Sequence, residues 1–340
     1  MPSNKEQIIL YMLKLISVKD SKLVAKTTDA FRGEISKSTV YNYLSELCEC
    51  GIIEKHGREY ELITSEQSFT YLNNGSLGED RIFENDISPC LSELPKNVYS
   101  AWRYGFTEMM NNAIEHSGAE EINVTLLRNA LKTVIIISDN GKGIFNNIQD
   151  YVRAQKGEEL SLKECATLLL AGKFTTAKSM HSGEGIFFTS HLMDSFVIIS
   201  RGVVFSRDNF LDKSFESSSF ASHSTTVFME LNNSTKKTAR EIFDRFSNVD
   251  EGFIKTHIPI SHLFSGAGPI SRSEARRLGE LITKFKEVDL DFTGTQEVGQ
   301  AFVHELFIVW QRNNPDIKLN VIGACDDVDF MIRRVINTKQ

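Results

Sequence analysis

Long apolar runs are missing from this chain. No stretch approaches the roughly 20 residues needed to span a bilayer, which argues against a membrane-spanning helix. The first 18 residues, MPSNKEQIILYMLKLISV, place one Lys and one Glu before the apolar stretch and lack a small-residue cleavage site. They read as an amphipathic helix, not a signal peptide. A basic surplus is also missing: 38 Lys and Arg against 45 Asp and Glu leave a formal charge of -7. A general polyanion binder would be basic, so broad nucleic-acid affinity is not expected. Cysteine is sparse and unpaired in pattern, at Cys48, Cys50, Cys90, Cys165 and Cys325. Cys48 and Cys50 are two apart on a predicted helix and point away from each other. An odd, scattered set argues against a disulfide framework or structural zinc and fits a reducing cytoplasm. No internal repeat or low-complexity tract occurs.

What remains is an ordinary globular composition, with 41% hydrophobic and 24% charged residues over 340 positions. That length suits two or three domains. In residues 1–64, Ile8, Ile9, Met12, Leu13 and Ile16 repeat at helical spacing. A second helix is expected over about 21–31. Ser36 or Ser38 caps a third, with Val40, Leu44 and Leu47 as its apolar stripe. Gly51 ends it, and IIEKHGREYELI reads as a hairpin turning at His56-Gly57. Three helices and a hairpin are the order of a winged helix-turn-helix. Lys37, Ser38, Thr39, Tyr41 and Asn42 then lie near the exposed start of the recognition helix, where DNA contacts are made. The unit carries nine basic and nine acidic residues, so a dimerisation or protein-docking role stands beside DNA contact. The acidity of the chain therefore lies beyond residue 64.

Residues 65–94 open with SEQSFTYLNNGSLGED, rich in Ser, Asn and Gly, and read as a linker or an irregular entry segment. A nucleotide-type unit follows over 95–232. Its first motif runs from Glu108 through Asn112 to Glu115 and His116, on one face of a helix at i, i+4, i+7 and i+8. Trp102, Phe106, Met109 and Ala113 form the face that packs on a sheet. A carboxylate one turn before an amide suits metal-assisted phosphate chemistry. The amide oxygen can ligate a hard cation such as Mg²⁺, and the carboxylate can accept a proton. The second motif, Ser138-Asp139-Asn140-Gly141-Lys142-Gly143-Ile144, follows an apolar strand. Its Asp can accept from a base amino group, and its glycines let backbone approach a flat ligand. The third, His181-Ser182-Gly183-Glu184-Gly185-Ile186, opens a helix, where orphan N–H groups and the dipole favour phosphate.

Each motif alone is weak, since a turn or a helix start would explain it. Together, in this order, they resemble the Bergerat (GHKL) ATP-binding fold of histidine kinases, type II topoisomerase ATPases, heat-shock-90 chaperones and anti-sigma-factor kinases. The resemblance implies an α/β sandwich binding ATP and Mg²⁺. Asn112 would hold the metal, and Glu108 would act as base or water orienter. Asp139 would read adenine, Gly141, Gly143 and Ile144 would shape its pocket, and Thr226 would back it. Gly183, Glu184, Gly185 and Ile186 would surround the phosphates. The stretch 157–182, with Lys173, Thr175, Thr176 and Lys178, would be a mobile cover. No separate helix offers a phosphorylatable His, so a two-component kinase is not expected. A homodimer is implied by the resemblance only.

Beyond 250 the pattern alternates strand and helix, which predicts a separate small α/β layer. VDLDFTGTQEVGQAFVHELF resembles the STAS-like domain of unknown function that follows such ATP-binding domains in some bacterial proteins. It is also faintly similar to the anti-anti-sigma STAS fold, where a strand ends in Asp, two hydroxyl residues and Gly. Here the string is Asp291-Phe292-Thr293-Gly294, so Thr293 takes the phosphoacceptor position while Phe292 replaces the first hydroxyl. A plain turn at Thr293, in a partner-docking unit, is the alternative. Three functions follow: an ATP-dependent switch reporting to DNA or a protein, a Ser/Thr kinase acting on its own or a partner STAS unit, and a non-catalytic ATP-binding scaffold. Glu108 weighs against the scaffold.

Overall fold

A computed structural model describes residues 4–173, 183–206, 224–248, 250–264 and 268–337. The first unit holds helices Asn4–Ser17, Leu23–Ala30 and Lys37–Glu49, then a hairpin of β1 (Ile53–His56) and β2 (Glu59–Leu62). Ile8, Met12, Leu13, Ile16, Val40, Leu44, Leu47 and Ile53 are its buried core. Ser36 caps the third helix: its hydroxyl accepts from the Thr39 N–H and the Thr39 hydroxyl accepts from the Ser36 N–H. Thr39 is therefore engaged in the cap, whereas Lys37, Ser38, Tyr41 and Asn42 are exposed.

The expected linker or irregular entry segment begins instead as a regular strand. Residues 65–72 form β3 (Ser65–Leu72), which pairs antiparallel with β4 (Glu121–Arg128) from Ser65 opposite Arg128 to Leu72 opposite Glu121. Only Phe69 and Tyr71 turn partly inward, so an edge strand of polar residues hid its period. The rest of 65–94 is core as well, through Ile82, Phe83, Ile87 and Leu91.

β3 opens a six-stranded sheet completed by β4, β5 (Lys132–Asp139), β6 (Ser195–Ser200), β7 (Val203–Ser206) and β8 (Thr225–Asn232). The spatial order is β3-β4-β5-β8-β6-β7, and every pairing is antiparallel. Against it lies the helix Lys96–Asn111, which buries Trp102, Phe106 and Met109 and continues into a widened turn, Asn112–His116. Three further helices start from capping boxes: Ser161 with Glu164, Thr238 with Glu241 and Ser271 with Glu274. Each box satisfies N–H groups that a helix start would leave orphaned.

The C-terminal unit contains two short strands, β9 (Ser247–Asn248) and β10 (Gly252–Phe253). A parallel sheet follows, of β11 (Lys255–Pro259), β12 (Glu287–Asp291) and β13 (Lys318–Ile322) in that spatial order. Helix Arg272–Ile282 links β11 to β12, and helix Asp326–Asn337 follows β13. The expected separateness of 250–340 does not hold. Ala171, Phe187, Phe188 and Phe246 are buried in the same core as Ile258, Val288 and Leu290. Large apolar residues at 187 and 188 follow a motif that belongs to the preceding unit, and nothing in their pattern says which core receives them. All five cysteines are free thiols.

Candidate functional site

The three motifs, spread from Glu108 to Ile186, meet at one cleft of about 360 Å³. That is within the usual range for small-molecule sites. From the expected set it is lined by Glu108, Asn112, Asp139, Ile144, Gly183, Glu184, Gly185 and Ile186. Lys178 lies outside the described residues, as do Thr175, Thr176, His181 and Ser182.

One wall is the end of the long helix. Glu108 and Asn112 are one turn apart, and the helix widens at Asn112–His116. Such wide turns recur at functional sites because they re-aim side chains. The Asn147 amide donates to the His116 carbonyl at 2.6 Å and ties this turn to helix Ile144–Lys156. Among the described residues, the Asn112 side chain donates from Nδ2 to Met109 Sδ at 4.0 Å. That arrangement leaves its carbonyl oxygen suited to a hard cation.

The floor is the sheet. Strand alternation sends Ile137 and Asp139 of β5, Ile198 of β6, and Thr225 and Val227 of β8 to the cleft. Thr226 was expected there and is not. Its hydroxyl lies 3.1 Å from that of Ser138, on the opposite face. With a side-chain period of two, a shift of one residue reverses the face, so Thr225 takes the position. The Thr225 hydroxyl also accepts from the Ile144 N–H at 3.1 Å.

Asp139 is buried at the end of β5, and its Oδ1 accepts from the Gly141 N–H at 2.9 Å. Gly141 and Gly143 do not line the cleft; they hold the turn beside it. A Cβ at Gly141 would collide with the Ser117 carbonyl, and Gly143 adopts φ +96°, a left-handed conformation suited to glycine.

The third wall is the start of helix Gly185–Leu192. Gly183 has φ +73°, and a Cβ at Gly185 would overlap the Glu108 carboxylate. The carboxylate therefore lies directly against the backbone that opens this helix. Tyr104, one turn before Glu108, has its hydroxyl pKa pushed up by burial and further by the charges of Glu108 and Glu184. Glu79, Glu108, Asp139 and Glu184 all line the cleft, and no Lys or Arg does among the described residues. A bare polyanion would be repelled there, whereas one carrying a divalent cation would not.

Several lining residues escaped the sequence reading. Glu79 comes from the supposed linker and had no signal. Asn147 could have been found, because Phe145, Ile148 and Val152 repeat at helical spacing after the glycine turn and are all buried.

In the C-terminal unit, Thr293 is exposed just past β12, away from the cleft-lining set. Burial pushes the Asp291 carboxyl up. Hydrogen bonds from the Thr293 hydroxyl and N–H, with His257 nearby, outweigh it and hold the carboxyl below its ordinary range. His257 Nε2 lies 3.0 Å from Asp291 Oδ2.

Residues 274–329 match the family described as a STAS-like domain of unknown function. The C-terminal unit thus contains a STAS-like domain at those residues. A search of curated proteins gave no match. No helix among the described residues is long and apolar enough to cross a membrane.

Proposed function

We propose that the central unit is a Bergerat-type ATP-binding domain and that the protein is a nucleotide-dependent regulatory switch using Mg²⁺. The observation that carries this reading is the convergence of Glu108, Asn112, Asp139 and the Gly183–Gly185 backbone on one cleft. The residues fit the ligand. Asp139 is a buried acceptor at the apolar end, Asn112 offers an uncharged oxygen to the metal, and the helix start at Gly185 offers N–H groups to phosphate. A bound Mg²⁺ would neutralise phosphate charge in an otherwise acidic cleft. Glu108 holds a proton acceptor beside the phosphate-binding backbone, which suits hydrolysis or transfer of the γ-phosphate.

The first unit is read as a winged helix that reports the nucleotide state to DNA, through Lys37, Ser38, Tyr41 and Asn42. A Ser/Thr kinase acting on the STAS-like unit is the second reading. It is favoured by the exposed Thr293, held at the end of β12 by its N–H donating to Asp291 Oδ1 at 2.9 Å.

Calorimetry with Mg²⁺-ATP and a γ-labelled ATP assay test these readings together. ATP is expected to bind only with Mg²⁺. Glu108→Ala should lower turnover by about 10²–10⁴-fold with binding kept. Asp139→Asn should weaken binding itself by about 10-fold or more, the scale of a hydrogen bond to a charged group. Label on Thr293 would select the kinase, and free phosphate without label the ATPase. Binding with neither would leave the scaffold, and no binding would end the nucleotide reading. For DNA, a salt-dependent shift with the full chain is expected, abolished by changing Lys37 and Tyr41 to Ala.

A further inference from the structure

Two helices serve the cleft and the STAS-like core at once. In helix Leu162–Ala171, Leu169 lines the cleft while Ala171 is buried in the C-terminal core. The Thr256 hydroxyl of β11 donates to the Ala171 carbonyl at 2.7 Å. Arg277 pairs with Glu164 at 2.8 Å. In helix Gly185–Leu192, Gly185 and Ile186 line the cleft, and the next two residues, Phe187 and Phe188, sit in the C-terminal core. Phe188 packs on Phe243 and Phe253 with ring centroids 4.5 and 5.0 Å apart. A shift at the start of this helix therefore moves aromatic rings that the STAS-like core grips.

Lys173 joins the same two places electrostatically. Its ammonium lies 5.4 Å from the Phe253 ring centre and 4.9 Å from that of Phe285, within cation–π range. It donates to the Lys284 carbonyl at 3.2 Å, and Lys284 Nζ donates to the Lys173 carbonyl at 2.9 Å. Its backbone is left-handed, φ +54°, which a non-glycine residue holds only when its surroundings enforce it. Burial lowers its pKa, against the opposing pull of Glu184, so the ammonium already feels a carboxylate of the cleft.

Building on the nucleotide reading above, we propose that the STAS-like unit regulates the nucleotide site through these two helices, with Lys173 as the link between them. Phosphates beside Glu184 and Gly185 draw the Lys173 ammonium and loosen its hold on Phe253 and Phe285. By linkage, a partner seated on the STAS-like unit changes nucleotide affinity by the same factor that nucleotide changes partner affinity.

Amide hydrogen exchange on the full chain, with and without saturating Mg²⁺-ATP, tests this, and calorimetry on the same samples establishes occupancy. ATP should change exchange across β11 and residues 284–291 by about fivefold or more, the lower end of ordinary allosteric coupling. At ATP concentrations that calorimetry shows to saturate each variant, Lys173→Met should lose that change, while Lys173→Arg should keep it. Full occupancy with unchanged exchange in the wild-type chain would overturn the proposal, whatever the variants do. So would equal transmission by Lys173→Met. Absence of ATP binding to the wild-type chain is a separate result: it removes the nucleotide reading, and this inference with it.

Discussion

The central unit is joined to its two neighbours in opposite ways. On the N-terminal side the contact is narrow. Leu131, at the β4–β5 turn, sits in the core of the first unit, and the Asn129 amide reaches the Thr64 hydroxyl at 3.4 Å. On the C-terminal side the cores interpenetrate, with Ala171, Phe187 and Phe188 buried in the core of the C-terminal unit. The residues at the N-terminal contact do not line the cleft, whereas the C-terminal contact begins one residue after Ile186, which does. A side chain that lines a ligand site and a neighbour that fills another core cannot move independently. The C-terminal unit is therefore packed more directly against the cleft than the first unit is.

Phe188→Ala empties a fully buried aromatic site and should cost about 3–5 kcal/mol in urea unfolding, with the central and C-terminal units lost together. Separate transitions would mean the cores are not shared. Leu131→Ala should cost about 2 kcal/mol, the lower end for a buried leucine, and loosen the first unit alone. Arg277→Ala removes only an exposed pair with Glu164, so the change should stay below about 1 kcal/mol. A larger loss would show that the surface pair, not the aromatic core, holds the junction.

The smallest effect is a titration. The folded Asp291 carboxyl is held below its ordinary value, so its stabilisation is present above the unfolded pKa near 3.9 and fades as pH falls through the lower folded value. Carbon-detected NMR should follow this, and Thr293→Val should raise the Asp291 pKa by removing one hydrogen bond. An unchanged pKa would show that the Thr293 hydroxyl does not support the carboxylate.

Much of this was legible in the sequence. β5 announced itself as the apolar strand before Ser138-Asp139, and Ser36, one of two cap candidates, starts the third helix. The cleft was legible because its motifs depend on residue types with few alternatives: glycine where a Cβ would collide, Asp at a strand end, Glu and Asn one turn apart. Three things were not. β3 carries polar residues because it is an edge, and an edge strand needs little apolar surface. The face of β8 depended on a register that only pairing reveals, which separates Thr225 from Thr226. Phe187 and Phe188 were readable as buried but not as buried elsewhere.

β3 has one more consequence. It leaves the first unit only two residues after β2 ends and is bonded to β4 over eight consecutive residue pairs. The hydrogen bonds of such a pair run across the strands. A pull on the first unit along β3 would load those bonds in shear, so that they yield together and not one after another as in an opening zipper. The first unit is thus mounted on a mechanically stiff tether, and it would tilt or twist with the sheet before it could be pulled away from it.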